Sequence, residues 1–245
     1  MGGDIVRTLL TALLLFGLFG CSTGIYQDTE TRLLIFSKTE GYRHKSIEAG
    51  AAAISQLSTS KGYQVEHSED ASLFSKENLS QYAAVIFLST TGDILNENQQ
   101  TAFEQYIQAG GGFVGVHAAT DTEYDWPWYG QLVGAYFDNH PKIQEARLIV
   151  PEPNHPTVAH LPNPFVTIDE WYNFHSLSTR VTPLLQLDEN SYEGGTNGDY
   201  HPISWYQNFD GGRAFYTGLG HADETFSNPL FMAHLGAGIE YAIGN

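Results

Sequence analysis

The chain holds a single cysteine, Cys21, in 245 residues. No intramolecular disulfide is available to it, and the folded domain has neither a catalytic thiol nor a cysteine metal ligand. Any metal must therefore sit on imidazole, carboxylate, carbonyl or water oxygen. Basic residues are also scarce: 11 Lys and Arg stand against 28 Asp and Glu, for a formal net charge of −17. A phosphate backbone would be repelled, so nucleic acid is not an expected partner. The acidity itself reads as solubility outside the cytoplasm. Charged residues amount to only 16%, with 42% hydrophobic and 13% aromatic residues, enough apolar material for one sizeable core. There is no internal repeat, low-complexity stretch or linker.

The one pronounced apolar run near the start, residues 9–19, is too short for a confident membrane span. With Arg7 before it and Leu18-Phe19-Gly20-Cys21 at its end, it reads as an export signal with a lipobox. The expected organisation is a lipoprotein-type signal peptide over 1–20, a polar tether over 21–31 and one domain over 32–245. Cys21 would be lipidated and would tie the domain to a bacterial membrane, facing the periplasm or the cell surface. Phe19 is bulkier than the small residue usual in a lipobox, and an uncleaved anchor is the alternative; both leave the domain extracytoplasmic.

Within the domain, apolar runs alternate with helical spacing. Residues 32–36 and 83–88 read as strands buried on both faces, and 63–67 as a shorter strand. Residues 46–60 and 96–109 read as helices, the second with Asn96 as N-cap. The order implies βαβ units and a parallel sheet with right-handed crossovers. In such sheets ligands collect beyond the carboxyl ends of the strands. The second half is richer in strands: 145–150, 181–187, and a hairpin of 203–206 with 213–219 around Asp210-Gly211-Gly212. A helix over 229–243 closes the chain.

The central motif is Gly110-Gly111-Gly112-Phe113-Val114-Gly115-Val116-His117-Ala118-Ala119. A short strand leaves a glycine cluster and ends on one histidine among small residues, the pattern of a nucleophile elbow. Because the raised residue is His117, the chemistry expected is acid/base, ligation or hydrogen bonding and not an acyl-enzyme. His44, with Arg43 beside it, and Asp93 lie in loops at the same sheet edge, and His221 ends a late strand. Residues 169–174 alternate charged and aromatic side chains. Strand alternation would place either Asp169 or Glu170 inward, and Glu170 is the preferred carboxylate partner. His44, His117 and Glu170 could assemble a divalent metal site, zinc or similar, with an open water position. Trp126, Trp128, Tyr129, Trp171 and Tyr172 could offer a stacking platform for sugar rings or be ordinary core. His140 and His201, each before a proline, are further substrate-contact candidates or simple turn residues.

These motifs together resemble the ThuA-like, or trehalose-utilisation, family. The resemblance rests on Thr39-Glu40-Gly41-Tyr42-Arg43-His44, Ser89-Thr90-Thr91-Gly92-Asp93, the elbow, and Asp121-Thr122-Glu123-Tyr124-Asp125-Trp126-Pro127-Trp128-Tyr129. It continues through Asp169-Glu170-Trp171-Tyr172, His201-Pro202, Gly211-Gly212-Arg213-Ala214-Phe215-Tyr216 and Gly218-Leu219-Gly220-His221. It implies a flavodoxin-like α/β fold related to class I glutamine amidotransferases: a mostly parallel sheet flanked by helices, with a β-rich C-terminal half. In those relatives a cysteine occupies the elbow and a histidine follows a later strand. Here His117 takes the first position and His221 the second, so amidotransferase activity is not carried over. The family is associated with the use of trehalose and oxidised sugars. The expectation is an enzyme, a hydrolase, lyase or isomerase of a sugar or keto-sugar derivative, with His117, His44, His221 and Glu170 catalytic. A tethered sugar-binding module without catalysis is the alternative, and a structural envelope protein a third.

Overall fold

The computed structural model describes residues 30–245, together with positions 1 and 3. The expected signal peptide, nearly all of the tether and Cys21 lie outside the described residues. Among the described residues no helix is long and apolar enough to cross a membrane.

The first half alternates as its periodicity demands. Strand β1 (Arg32–Phe36) leads to helix α1 (Ile47–Ser60), then β2 (Gln64–Ser68), the single-turn α2 (Lys76–Leu79), β3 (Ala84–Leu88), α3 (Glu97–Gln108) and β4 (Gly112–Val116). The all-apolar β3 and the glycine-containing β4 are buried along their whole length, as central strands covered on both faces must be. Helix α3 starts at a reciprocal capping box, Asn96 with Gln99, which satisfies two otherwise orphan donors. Gly112 lets β4 pass close under the last helix: a Cβ there would lie 2.5 Å from the carbonyl oxygen of Ala242.

The second half adds α4 (Pro127–Val133), β5 (Tyr136–Asn139), β6 (Gln144–Ile149), β7 (Phe165–Asp169), β8 (Asn173–His175), β9 (Thr182–Leu187), β10 (Pro202–Phe209), β11 (Gly212–Thr217) and α5 (Pro229–Ile243). Nine strands form one sheet in the order β2-β1-β3-β4-β11-β10-β9-β6-β7, and β5 pairs with β8 separately. The pairs from β2 through β11 are parallel. From β11 to β7 each pair is antiparallel. Four reversals restore the original direction, so the carboxyl end of β7 points to the same edge as those of β1, β3, β4 and β11. The fold is thus a mixed sheet with a parallel N-terminal half flanked by helices and a strand-rich C-terminal half.

One expected element is corrected. Residues 169–174 are not a single alternating strand. β7 ends at Asp169 and β8 begins at Asn173, so strand alternation does not govern Glu170, and both Asp169 and Glu170 are buried.

Candidate functional site

Four side chains meet at the shared sheet edge. His44 comes from the loop after β1, His117 from the turn after β4, Glu170 from the residue after β7 and His221 from the loop after β11. One ligand atom of each lies within 4.8 Å of all the others. His117 opens a 3₁₀ turn with φ of 51°, a left-handed conformation that a non-glycine residue adopts only when its surroundings over-determine it. What holds it is a bond from ring Nδ1 to the carbonyl of Gly218, at 2.8 Å, and one from Tyr216 Oη to its own carbonyl, at 2.8 Å. With its proton on Nδ1, Nε2 is free to face the cluster. Metal-bound imidazoles show the same arrangement, the distal N–H on a carbonyl and the other nitrogen on the ion.

Around that nitrogen the groups crowd. Glu170 Oε2 is 3.5 Å from His117 Nε2 and 3.1 Å from His221 Nδ1, and the two imidazole nitrogens are 3.3 Å apart. Glu170 Oε1 lies 3.1 Å from His140 Nδ1. Burial alone would raise the Glu170 carboxyl, but the His117 and His221 imidazoles beside it hold it well below the usual carboxylate range. His221 is pushed up, chiefly by its bond to Glu170. His44 moves the other way, down to about 3, because burial and the neighbouring His117 and His221 disfavour its cation. His44 is 4% exposed, and its Nδ1 is a buried polar atom with no hydrogen-bond partner. Three imidazoles beside one ionised carboxylate, with a His44 nitrogen left unsatisfied, form a donor set that fits a borderline divalent cation such as zinc. The residues present could hold such an ion.

The cluster opens on a cavity of about 400 Å³ lined by Tyr42, His44, Asp121, Phe137, His140, Glu170, Tyr172 and His221. His117, fully buried, lies behind this lining, with the Tyr172 ring 4.5 Å from its own. Asp169 organises one rim. It accepts the backbone N–H groups of Gly220 and His221 at 3.0 and 3.1 Å and the Thr225 hydroxyl at 3.2 Å. The carboxyl that alternation was expected to turn outward therefore anchors the loop that carries His221.

Other candidates lie elsewhere. Arg43 turns away to pair with Glu48 and Glu69 at 2.7 Å each, and Asp93 is exposed outside the cavity. Trp126 and Trp128 stack on one another and pack tilted and edge-on against Phe103 of α3, donating to Glu104 and Asp210. Tyr129 is sealed beneath β3 and β4, its hydroxyl on the Ala119 carbonyl. The Trp126–Tyr129 cluster is core packing, because α4 folds against the α3 side of the sheet. Trp171 is fully buried, its ring N–H on the Gln144 carbonyl. Of the five platform aromatics, the cavity includes Tyr172. His201 does not reach the cavity: its two ring nitrogens face Glu189 Oε1 at 2.7 Å and the Tyr172 carbonyl at 2.8 Å, so it braces Tyr172 from behind. Asp121, Phe137 and Tyr42 line the cavity without having been singled out. The signal for Asp121 was its place four residues after His117, where a short 3₁₀ turn brings the chain back to the same edge.

The sequence profile of the ThuA family, described as trehalose utilisation, matches residues 32–242. The chain belongs to this family. Among solved structures it is similar to a ThuA-like protein from Bacteroides uniformis, at 26% identity and a TM-score of 0.74, covering 86% of this chain and 91% of that one. A ThuA-like protein from Parabacteroides merdae superposes with a TM-score of 0.73 at 20% identity, covering 88% of this chain and 90% of that one. A cold-adapted β-galactosidase from Rahnella sp. R3 shares the fold over 86% of this chain and 31% of its own, at 15% identity and a TM-score of 0.59. No curated protein matches the sequence.

Proposed function

We propose that this ThuA-like protein is an extracytoplasmic, lipid-anchored enzyme that binds one divalent metal ion and acts on a sugar or keto-sugar derivative. The observation that carries the reading is the convergence of His44, His117, Glu170 and His221, from four separate strand ends, within 4.8 Å. Chance rarely brings three imidazoles and a carboxylate together in one buried spot, and a buried charge persists only when paired or ligating. A bound cation would act as a Lewis acid toward a ligand oxygen. The chain's own groups do the rest. Glu170 supplies the charge that retains the ion, Tyr42, Phe137 and Tyr172 offer apolar faces to a sugar ring, and His140 supplies a hydrogen-bonding group at the rim. Among the described residues the cavity wall holds no lysine or arginine, which favours a neutral saccharide over a phosphorylated one. The anchor rests on Leu18-Phe19-Gly20-Cys21.

Elemental analysis of protein purified without a His tag tests the metal: about one divalent ion per chain supports the reading, and none after loading overturns it. Incubating the loaded protein with trehalose and keto-glucosides, followed by mass spectrometry, tests the reaction. Saturable binding without any chemical change would instead identify a capture module.

A further inference from the structure

The cavity holds a second carboxyl, Asp121, and the phenol beside it lies within hydrogen-bond reach of two acceptors at once. Tyr124 Oη lies 2.7 Å from Asp121 Oδ1 and 3.0 Å from the carbonyl oxygen of Phe137. A phenol has one hydrogen to donate. If Asp121 is ionised, that hydrogen cannot serve both acceptors. If Asp121 carries the proton, its O–H donates to Tyr124 and Tyr124 donates to Phe137, so each of the two contacts has its own hydrogen. Asp121 Oδ2 has no hydrogen-bond partner among the described residues, and Asp121 lines the cavity that contains His44, Glu170 and His221.

We propose that Asp121 is the proton donor of this site, a carboxylic acid parked on Tyr124 that delivers its hydrogen to an oxygen of the bound ligand. This deepens the enzyme reading above and rests on it. The proton can occupy either carboxyl oxygen. On Oδ2 it faces the ligand while Tyr124 turns its hydrogen from Phe137 to Oδ1. Transfer then breaks the Oδ2–H bond, forms an O–H bond on the ligand oxygen and leaves the negative charge on Asp121, where the Tyr124 hydrogen stabilises it. Titratable neighbours are Tyr124 itself, His117, Tyr172, Tyr216 and, beyond Tyr124, Asp138. Burial pushes Asp121 above its ordinary value and outweighs the lowering by Tyr124 and His117.

Infrared spectroscopy of the metal-loaded chain at neutral pH reads the state directly. A protonated-carboxyl band is expected that shifts in D2O, disappears in Asp121→Asn and survives in Glu170→Gln. Identical carboxyl bands in wild type and Asp121→Asn would overturn the proposal. In a turnover assay on whichever tested saccharide the wild type converts, Asp121→Asn should lower kcat by about 100-fold or more, within the usual contribution of general acid catalysis, with metal content unchanged. Full activity in Asp121→Asn also overturns it. A band lost in Asp121→Asn without wild-type turnover of any saccharide would instead sink the enzyme reading and reduce Asp121 to a hydrogen-bond donor.

Discussion

Replacing His44 with leucine should stabilise the metal-free protein and abolish its response to metal. The imidazole of His44 is buried with Nδ1 unpartnered, and a buried polar atom without a hydrogen bond costs roughly 1–3 kcal/mol. Leucine is apolar and fills a similar space. It forfeits the edge contacts that His44 makes with the rings of Tyr42 and His117, at 4.9 and 4.7 Å, which offsets part of the gain. A net gain of about 1 kcal/mol remains, or roughly 2–4 °C in Tm for a domain of this size. The metal response moves oppositely. Ligand at 100 times its Kd stabilises by about 2.7 kcal/mol, roughly 5–11 °C here, and His44→Leu should lose most of that shift. Acidification supplies a second readout. His44 titrates at about 3 in the fold against an ordinary 6.5, so between those values the unfolded chain binds more protons than the native one. The contribution of neutral His44 is therefore whole above pH 6.5 and lost as pH falls toward 3, and His44→Leu should flatten that part of the profile. Scanning calorimetry with EDTA and with excess zinc at several pH values measures all three effects. A His44→Leu protein that melts lower than wild type in EDTA yet keeps the full zinc shift would refute the assignment of His44 as a ligand held at a cost in stability.

Glu170→Gln should keep the fold, because the amide retains the shape, but weaken metal binding by more than about 100-fold, beyond the usual effect of an outer-sphere partner; titration calorimetry with zinc measures it. Asp169→Asn places an amide against the N–H of Gly220 and the hydroxyl of Thr225, which now donate to a carboxylate. Losing two such charge-assisted bonds should cost about 3 kcal/mol in urea denaturation and loosen His221 enough to reduce metal affinity about 10- to 100-fold. His234, fully enclosed between the Thr157 carbonyl and the Ser204 hydroxyl, is lowered by burial to about 4 from 6.5. Its contribution is complete above pH 6.5 and declines as pH falls toward 4, by up to about 3 kcal/mol. The urea midpoint of His234→Gln should vary less over that range than that of wild type.

Much of the architecture could be read from local signals because it is locally caused. The apolar runs at 32–36 and 84–88 can hide both faces only inside a covered sheet, and the Asn96 and Gln99 box writes the start of α3 into four adjacent residues. His44, His117 and His221 were legible as neighbours for a related reason: each follows a parallel strand, and parallel strands deliver their carboxyl ends to one edge. Glu170 reaches that edge by a route with no local trace. Its strand, β7, stands four antiparallel pairings beyond β11, and only an even number of reversals returns it to the common direction. Pairings between segments so far apart in the chain are decided by the whole sheet. The aromatic run at 126–129 failed as a platform on the same ground, since composition cannot say whether α4 packs on the open edge or against α3. Asp121 is the instructive case between these extremes. Its place beside His117 follows from one 3₁₀ turn, but its chemistry depends on Tyr124 and on the carbonyl of Phe137, delivered by β5. A carboxyl becomes an acid or a base only through the partners the completed fold brings to it, so a sequence can nominate the group before it can assign the role.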